Sequence, residues 1–138
     1  MRTVAVDTIE FGEKLPLAFI CGPCVLEGKR NTFKAAERIK EVSEELRVPI
    51  IFKSSYLKAN RLSGKSYTGP GLEKGLALLS QVKEKFDMPI LTDVHCQEEV
   101  RMAADVADVL QIPAFLCSQT PLVKAAAKTK RVINIKKG

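Results

Sequence analysis

Six lysines, arginines and amides sit where short apolar runs give way to polar residues. Lys53 closes Phe52-Lys53-Ser54-Ser55, Gln111 precedes Ile112-Pro113-Ala114-Phe115, and Lys136 follows Asn134-Ile135. Between the first two lies Lys58-Ala59-Asn60-Arg61, which offers a phosphate a point charge, an amide and a bidentate fork. Cations are rarely buried unpaired, so this pattern predicts a site for a small, multiply negative ligand such as a phosphate ester. Leu91-Thr92-Asp93-Val94-His95 adds a carboxylate and the chain's single histidine. Acid–base work is open to that pair, and a surface histidine after a strand is the plainer alternative. Cys21-Gly22-Pro23-Cys24 has the spacing of a redox dithiol, which requires a helix starting at the first thiol. Here Gly28 interrupts, and helical periodicity begins only after Asn31. As a zinc site the pair is incomplete, because no second such pair accompanies it.

The elements that must position these groups alternate along the chain. Val4–Val6 and Ile9–Phe11 predict a small hairpin. Leu17–Cys21, Pro49–Lys53, Pro89–Thr92, Asp108–Ile112 and Val132–Lys136 predict five buried strands. Between them helices are expected over Thr32–Leu46, with Phe33, Ala36, Ile39, Val42 and Leu46 on one face and Asn31 as N-cap, and from Leu72 to Phe86. A short one covers Gln97–Ala104, and the last covers Pro121–Lys128 with Thr120 as N-cap and Pro121 at the first helical position. Alternating strand and helix means a parallel α/β sheet, whose active sites lie at the C-terminal strand ends. The loop 54–70 is long for a compact domain, as functional loops are. A barrel has eight strands; an open flavodoxin-like sheet needs fewer.

With 46% hydrophobic and 28% charged residues the 138-residue chain is of the globular class. No apolar run approaches a membrane span, and the N-terminus has no secretory pattern, so a cytoplasmic location is expected and the four cysteines are expected as buried thiols and not as a disulfide framework. The charge of +6 does not point to nucleic acid: no basic block is interleaved with aromatics, and tryptophan is absent.

Together, Gly22-Pro23-Cys24-Val25-Leu26-Glu27, Phe52-Lys53-Ser54-Ser55, Lys58-Ala59-Asn60-Arg61, Gly69-Pro70-Gly71-Leu72, Leu91-Thr92-Asp93-Val94-His95, Gln111-Ile112-Pro113-Ala114-Phe115-Leu116 and Ile133-Asn134-Ile135-Lys136-Lys137-Gly138 resemble the 3-deoxy-D-manno-octulosonate 8-phosphate synthases. The resemblance implies a homotetrameric (β/α)8 TIM barrel. Residues 1–138 would be the N-terminal portion of that single domain, holding the hairpin and about strands 1–5. It implies condensation of phosphoenolpyruvate with arabinose 5-phosphate, in lipopolysaccharide synthesis, through attack of carbon 3 on the aldehyde and addition of water at carbon 2. By the same resemblance Lys53, Lys58, Gln111 and Lys136 surround phosphoenolpyruvate. Asn60 and Arg61 hold the pentose phosphate, Pro113 and Ala114 line its path, and Asp93 lies close to the sugar. Lys58, Asn60 and Asp93 are the expected catalytic residues. Cys24 marks the class that needs a divalent transition metal, whose further His, Glu and Asp ligands are expected outside this chain.

Some positions depart from that family's pattern. Leu57 stands for the usual Asp, Leu62 follows Arg61, Thr68 and Ser118 stand where Arg is common, and Pro121 replaces an Asp. By the resemblance, four of these changes remove polar or charged groups near the pentose or the subunit interface, and the phosphoenolpyruvate side is intact. Three alternatives therefore stand beside the leading reading: a heptulosonate-type synthase using another phosphorylated aldose, a non-catalytic remnant, and the thioredoxin-like dithiol. The 138 residues alone are expected to be inactive.

Overall fold

A computed structural model describes residues 3–60 and 62–138. The hairpin forms as β1 (Val4–Val6) and β2 (Ile9–Phe11), antiparallel. Five strands then alternate with four helices: β3 (Phe19–Cys21), α1 (Lys29–Leu46), β4 (Ile50–Lys53), α2 (Leu72–Phe86), β5 (Ile90–Asp93), α3 (Gln97–Val106), β6 (Val109–Ile112), α4 (Thr120–Lys128) and β7 (Val132–Ile135). The sheet is parallel throughout, in the order β3-β4-β5-β6-β7. Each strand pairs with its predecessor, so the sheet curls as a half-barrel. A flavodoxin-like sheet would place its second strand outside its first, and that topology is excluded.

The strands are apolar on both faces, as a parallel sheet covered by helices requires. Phe52, Ile90, Leu110 and Ile112 pack outward against Leu76, Leu79, Val82, Ala103 and Leu122 of the helices. Ile51, Leu91 and Val109 face the other way and join Val6 and Ile9 of the hairpin, with Val132 against them. Burying a large aliphatic side chain in this way contributes roughly 1.5–3 kcal/mol each. The hairpin thus seals the lower part of the concave face, toward the N-terminal strand ends.

Several helix ends differ from expectation. Helix α1 starts at Lys29 with Gly28 as N-cap, so Asn31 is a helical residue and not the cap. Thr32 fixes that start: its Oγ1 donates to the Gly28 carbonyl at 2.8 Å, alongside its own N–H at 3.1 Å. Of the expected apolar face Ala36 is fully buried, while Leu46 is 62% exposed. Thr120 is the first residue of α4 and Gln119 is its N-cap. Helix α3 runs to Val106, beyond the expected end.

Candidate active site

Period-2 alternation builds the site. Lys53 lies two residues beyond Ile51, Asp93 beyond Leu91, Gln111 beyond Val109 and Asn134 beyond Val132. All four therefore face the concave side, one layer above the apolar one. Register sets them side by side, since Asp93 pairs with Gln111 and Gln111 with Asn134. A continuous chain of hydrogen bonds follows. Asn134 Nδ2 donates to Gln111 Oε1 at 2.7 Å, and Gln111 Nε2 donates to Asp93 Oδ1 at 2.6 Å. The other carboxylate oxygen of Asp93 accepts from Ser55 and lies 3.0 Å from Lys53 Nζ. Lys53 Nζ also donates to Ser55 Oγ at 3.0 Å.

Asp93 is the electrostatic hinge of this layer. Burial pushes its carboxyl up, but the Lys53 ammonium and the donors Ser55 and Gln111 outweigh it and hold the carboxyl below its ordinary value. Asp93 is therefore ionised at neutral pH, with both oxygens occupied.

The loop after β4 closes over the layer and is tied down at its start. Val25 bridges Ser55, Ser54 Oγ donates to the Pro23 carbonyl at 2.9 Å, and Thr92 Oγ1 donates to the Ser54 carbonyl at 2.8 Å. Gly22 lets β3 approach β4: a Cβ there would overlap the Lys53 carbonyl oxygen. Above the layer lies a cleft of about 130 Å³ whose lining includes Cys24, Lys53, Lys58, Asn60, Asp93, Gln111, Pro113, Ala114 and Lys136, and also Ser55, Leu57 and His95. Every expected site residue within the described set meets here; Arg61 lies outside the described residues. Lys53 is paired with Asp93. Among the described residues neither Lys58 nor Lys136 has an ion pair. Three lysines against one carboxylate leave the cleft positive, the electrostatics an anionic ligand requires. A larger groove of about 630 Å³ between α3 and α4 holds none of these residues.

Of the two readings of His95, the freely exposed surface residue does not match the structure. The His95 side chain is 12% exposed, lines the cleft, and stands edge-on to the buried ring of Tyr56. Ser55 and Asn134 also belong to the site. Alternation signals that Asn134 and Gln111 share a face, but nothing in the local sequence signals that Ser55 bonds to Asp93.

Cys21 ends β3 and Cys24 is exposed in the loop before α1, which begins only at Lys29; all four cysteines are free thiols, but none is buried as expected, because they lie at strand ends and in loops outside the packed layers. The helix N-terminus a redox dithiol needs is not at either sulfur, so the thioredoxin-like reading fails. Among the described residues no three His, Cys, Asp or Glu side chains gather as a metal-ligand set. Cys24 supplies one donor to the cleft, and the described residues do not by themselves make a metal centre. No helix among them is long and apolar enough to cross a membrane.

Relatives match the chain along its whole length. The chain is 51% identical over 137 residues to a 2-dehydro-3-deoxyphosphooctonate aldolase of Pelobacter propionicus, covering 99% of the chain and 50% of that relative. It is 50% identical over 138 residues to the protein of the same name in Geotalea daltonii, covering 100% and 51%. The Rickettsia rickettsii protein of that name is 48% identical over 137 residues, covering 99% and 50%. The chain spans about half the length of the curated relatives it matches. The model of the DAHP synthetase I family matches residues 2–138, and the chain belongs to that family.

Proposed function

We propose that this chain forms the phosphoenolpyruvate side of a synthase that condenses phosphoenolpyruvate with arabinose 5-phosphate. The products are 3-deoxy-D-manno-octulosonate 8-phosphate and inorganic phosphate, destined for lipopolysaccharide. The observation that carries this reading is the positive cleft at the C-terminal strand ends in which Lys53, Lys58, Gln111 and Lys136 converge over the Asp93 layer. Lys58 and Lys136 are unpaired among the described residues and suit the carboxylate and phosphate of phosphoenolpyruvate. Lys53, fixed by Asp93 and Ser55, presents a preorganised positive charge where negative charge develops as carbon 3 attacks the aldehyde. Asn60, at the cleft's exposed rim, suits the aldose, with Pro113 and Ala114 along its path; the role of Arg61 toward the sugar phosphate rests on the family resemblance alone. Holding both substrates in one cleft removes much of the entropic cost of their meeting.

The reading includes a homotetramer in the cytoplasm and a divalent transition metal held in part by Cys24. The remaining metal ligands come from outside these residues. A second reading, a synthase taking another phosphorylated aldose, is favoured by Leu57 and Leu62. Leu57 is half-buried against the core and lines the cleft, and Leu62 is fully exposed. Both place hydrocarbon where the resembling synthases carry polar groups on the pentose side. Titrating the chain with arabinose 5-phosphate and erythrose 4-phosphate in the presence of phosphoenolpyruvate separates the two. Preference for the five-carbon sugar supports the first reading, and preference for the four-carbon sugar supports the second.

A further inference from the structure

His95 is the chain's single histidine, and it is held from behind by two residues that the condensation does not use. Tyr56 is fully buried, and its hydroxyl donates to Glu99 Oε2 at 2.9 Å. Burial first, and then the neighbouring Glu99 carboxylate, push the Tyr56 hydroxyl well above its ordinary pKa, so it remains a donor. The same Glu99 oxygen accepts the His95 backbone N–H at 3.1 Å. Two donors from different elements thus fix that oxygen, and it lies 3.5 Å from His95 Nδ1. Nδ1 is sealed from solvent and makes no hydrogen bond.

A buried ring nitrogen beside a carboxylate oxygen has a preferred protonation. As N–H it faces an acceptor; as a lone pair it faces another lone pair, which is repulsive. The bond made at one ring nitrogen decides the state of the other. Among the polar side chains of the cleft, acceptors are scarce. Both Asp93 oxygens are occupied by Lys53, Ser55 and Gln111, and Gln111 Oε1 is occupied by Asn134. The three lysines only donate. Asn60 and the His95 ring are the polar side chains of the cleft whose accepting oxygen or nitrogen has no partner among the described residues, so a sugar hydroxyl meets them unengaged.

We propose that Tyr56 and Glu99 are positioning residues that hold His95 in its Nδ1–H tautomer, presenting Nε2 to the cleft as a hydrogen-bond acceptor for a hydroxyl of the phosphorylated aldose. The choice of ligand rests on the function proposed above; the positioning does not.

Nitrogen NMR of the chain labelled with ¹⁵N-histidine tests both parts, because a single histidine gives a single pair of ring signals. Without ligand, the neutral ring should be predominantly the Nδ1–H tautomer. Glu99→Ala should abolish that preference. Tyr56→Phe, which keeps the ring against His95, should weaken it. Glu99→Gln, which keeps an acceptor oxygen, should recover most of it and serves if the alanine variant does not fold. A predominantly Nε2–H tautomer in the unaltered chain, or an unchanged tautomer in folded Glu99→Ala and Tyr56→Phe, overturns the positioning. Adding arabinose 5-phosphate should shift the Nε2 signal several-fold more than the Nδ1 signal. A correct tautomer whose Nε2 ignores the sugar phosphate overturns the acceptor role and the aldose reading of the cleft, and leaves the positioning standing.

Discussion

Replacing Asp93 by Asn removes one negative charge from the centre of the polar layer and changes little in volume. Lys53 then loses its only ion-pair partner among the described residues, at a site where its side chain is 19% exposed. The amide also turns two N–H donors toward groups that are themselves donors, Gln111 Nε2 or Lys53 Nζ. Breaking a buried ion pair from one side costs about 3–5 kcal/mol, and the residual exposure of Lys53 puts the expected loss at the lower end, about 3 kcal/mol. With a urea dependence of roughly 2 kcal/mol per molar, the unfolding midpoint should fall by about 1.5 M without a change of slope. The sign with pH follows from the depressed carboxyl. The stability Asp93 contributes is present above its unfolded value of about 3.9 and is lost as pH falls through its lower folded value, so the gap between the two proteins should close only in strong acid. Phosphate should rescue the variant more than the parent, because the lysines are then less neutralised. At about a hundred times its dissociation constant a ligand stabilises by roughly 2.7 kcal/mol, close to the whole loss. A midpoint shift under about 0.5 M, or a gap that closes near neutral pH, would refute the role given to Asp93.

Other expectations follow from the same contacts. Asp108→Ala should cost about 2 kcal/mol, because its Oδ2 accepts the N–H of fully buried Ile90 at 2.9 Å, whereas Lys83→Ala, which removes only the 40% exposed partner 2.6 Å away, should cost under about 1 kcal/mol; urea unfolding of the pair checks the ratio. Gly22→Ala should destabilise by about 3 kcal/mol, since the new Cβ meets backbone that cannot yield, and a loss below about 1 kcal/mol would show that β3 can move away from β4. In a protein that joins these residues to the rest of the barrel and its remaining metal ligands, condensation activity should be lost on chelation and in Cys24→Ala but not in Cys21→Ala, and full activity in that protein when metal-free would reject the metal.

The sequence made the fold legible where local pattern and burial agree. Leu76, Leu79, Val82 and Phe86 mark the buried side of α2 by periodicity alone, and the short apolar runs locate all five parallel strands. It fails at ends. Asn31 looks like a cap, yet Gly28 and Thr32 start the helix earlier, and periodicity places Leu46 on the apolar face although it is 62% exposed. A period defines a face, not where the neighbouring element stops. The site shows the same division. Lys53, Asp93, Gln111 and Lys136 announce themselves at strand ends, because a polar residue there in an otherwise apolar run needs a reason. Tyr56 and Glu99 do not: they are 43 residues apart in sequence, and each has an ordinary alternative, a core aromatic and a first-turn helix acid. Only the closing of the loop after β4 onto the start of α3 joins them to His95.

The central claim is that the cleft over the Asp93 layer binds phosphoenolpyruvate through its lysines. Calorimetric titration of phosphoenolpyruvate into the purified chain, and into Lys53→Met, Lys58→Met and Lys136→Met, measures it directly. A charged hydrogen bond is worth about 1.5–3 kcal/mol, so each substitution should weaken binding roughly ten- to a hundred-fold, and inorganic phosphate should compete. Binding that ignores all three substitutions, or no binding to a chain that circular dichroism shows to be folded, would contradict the account.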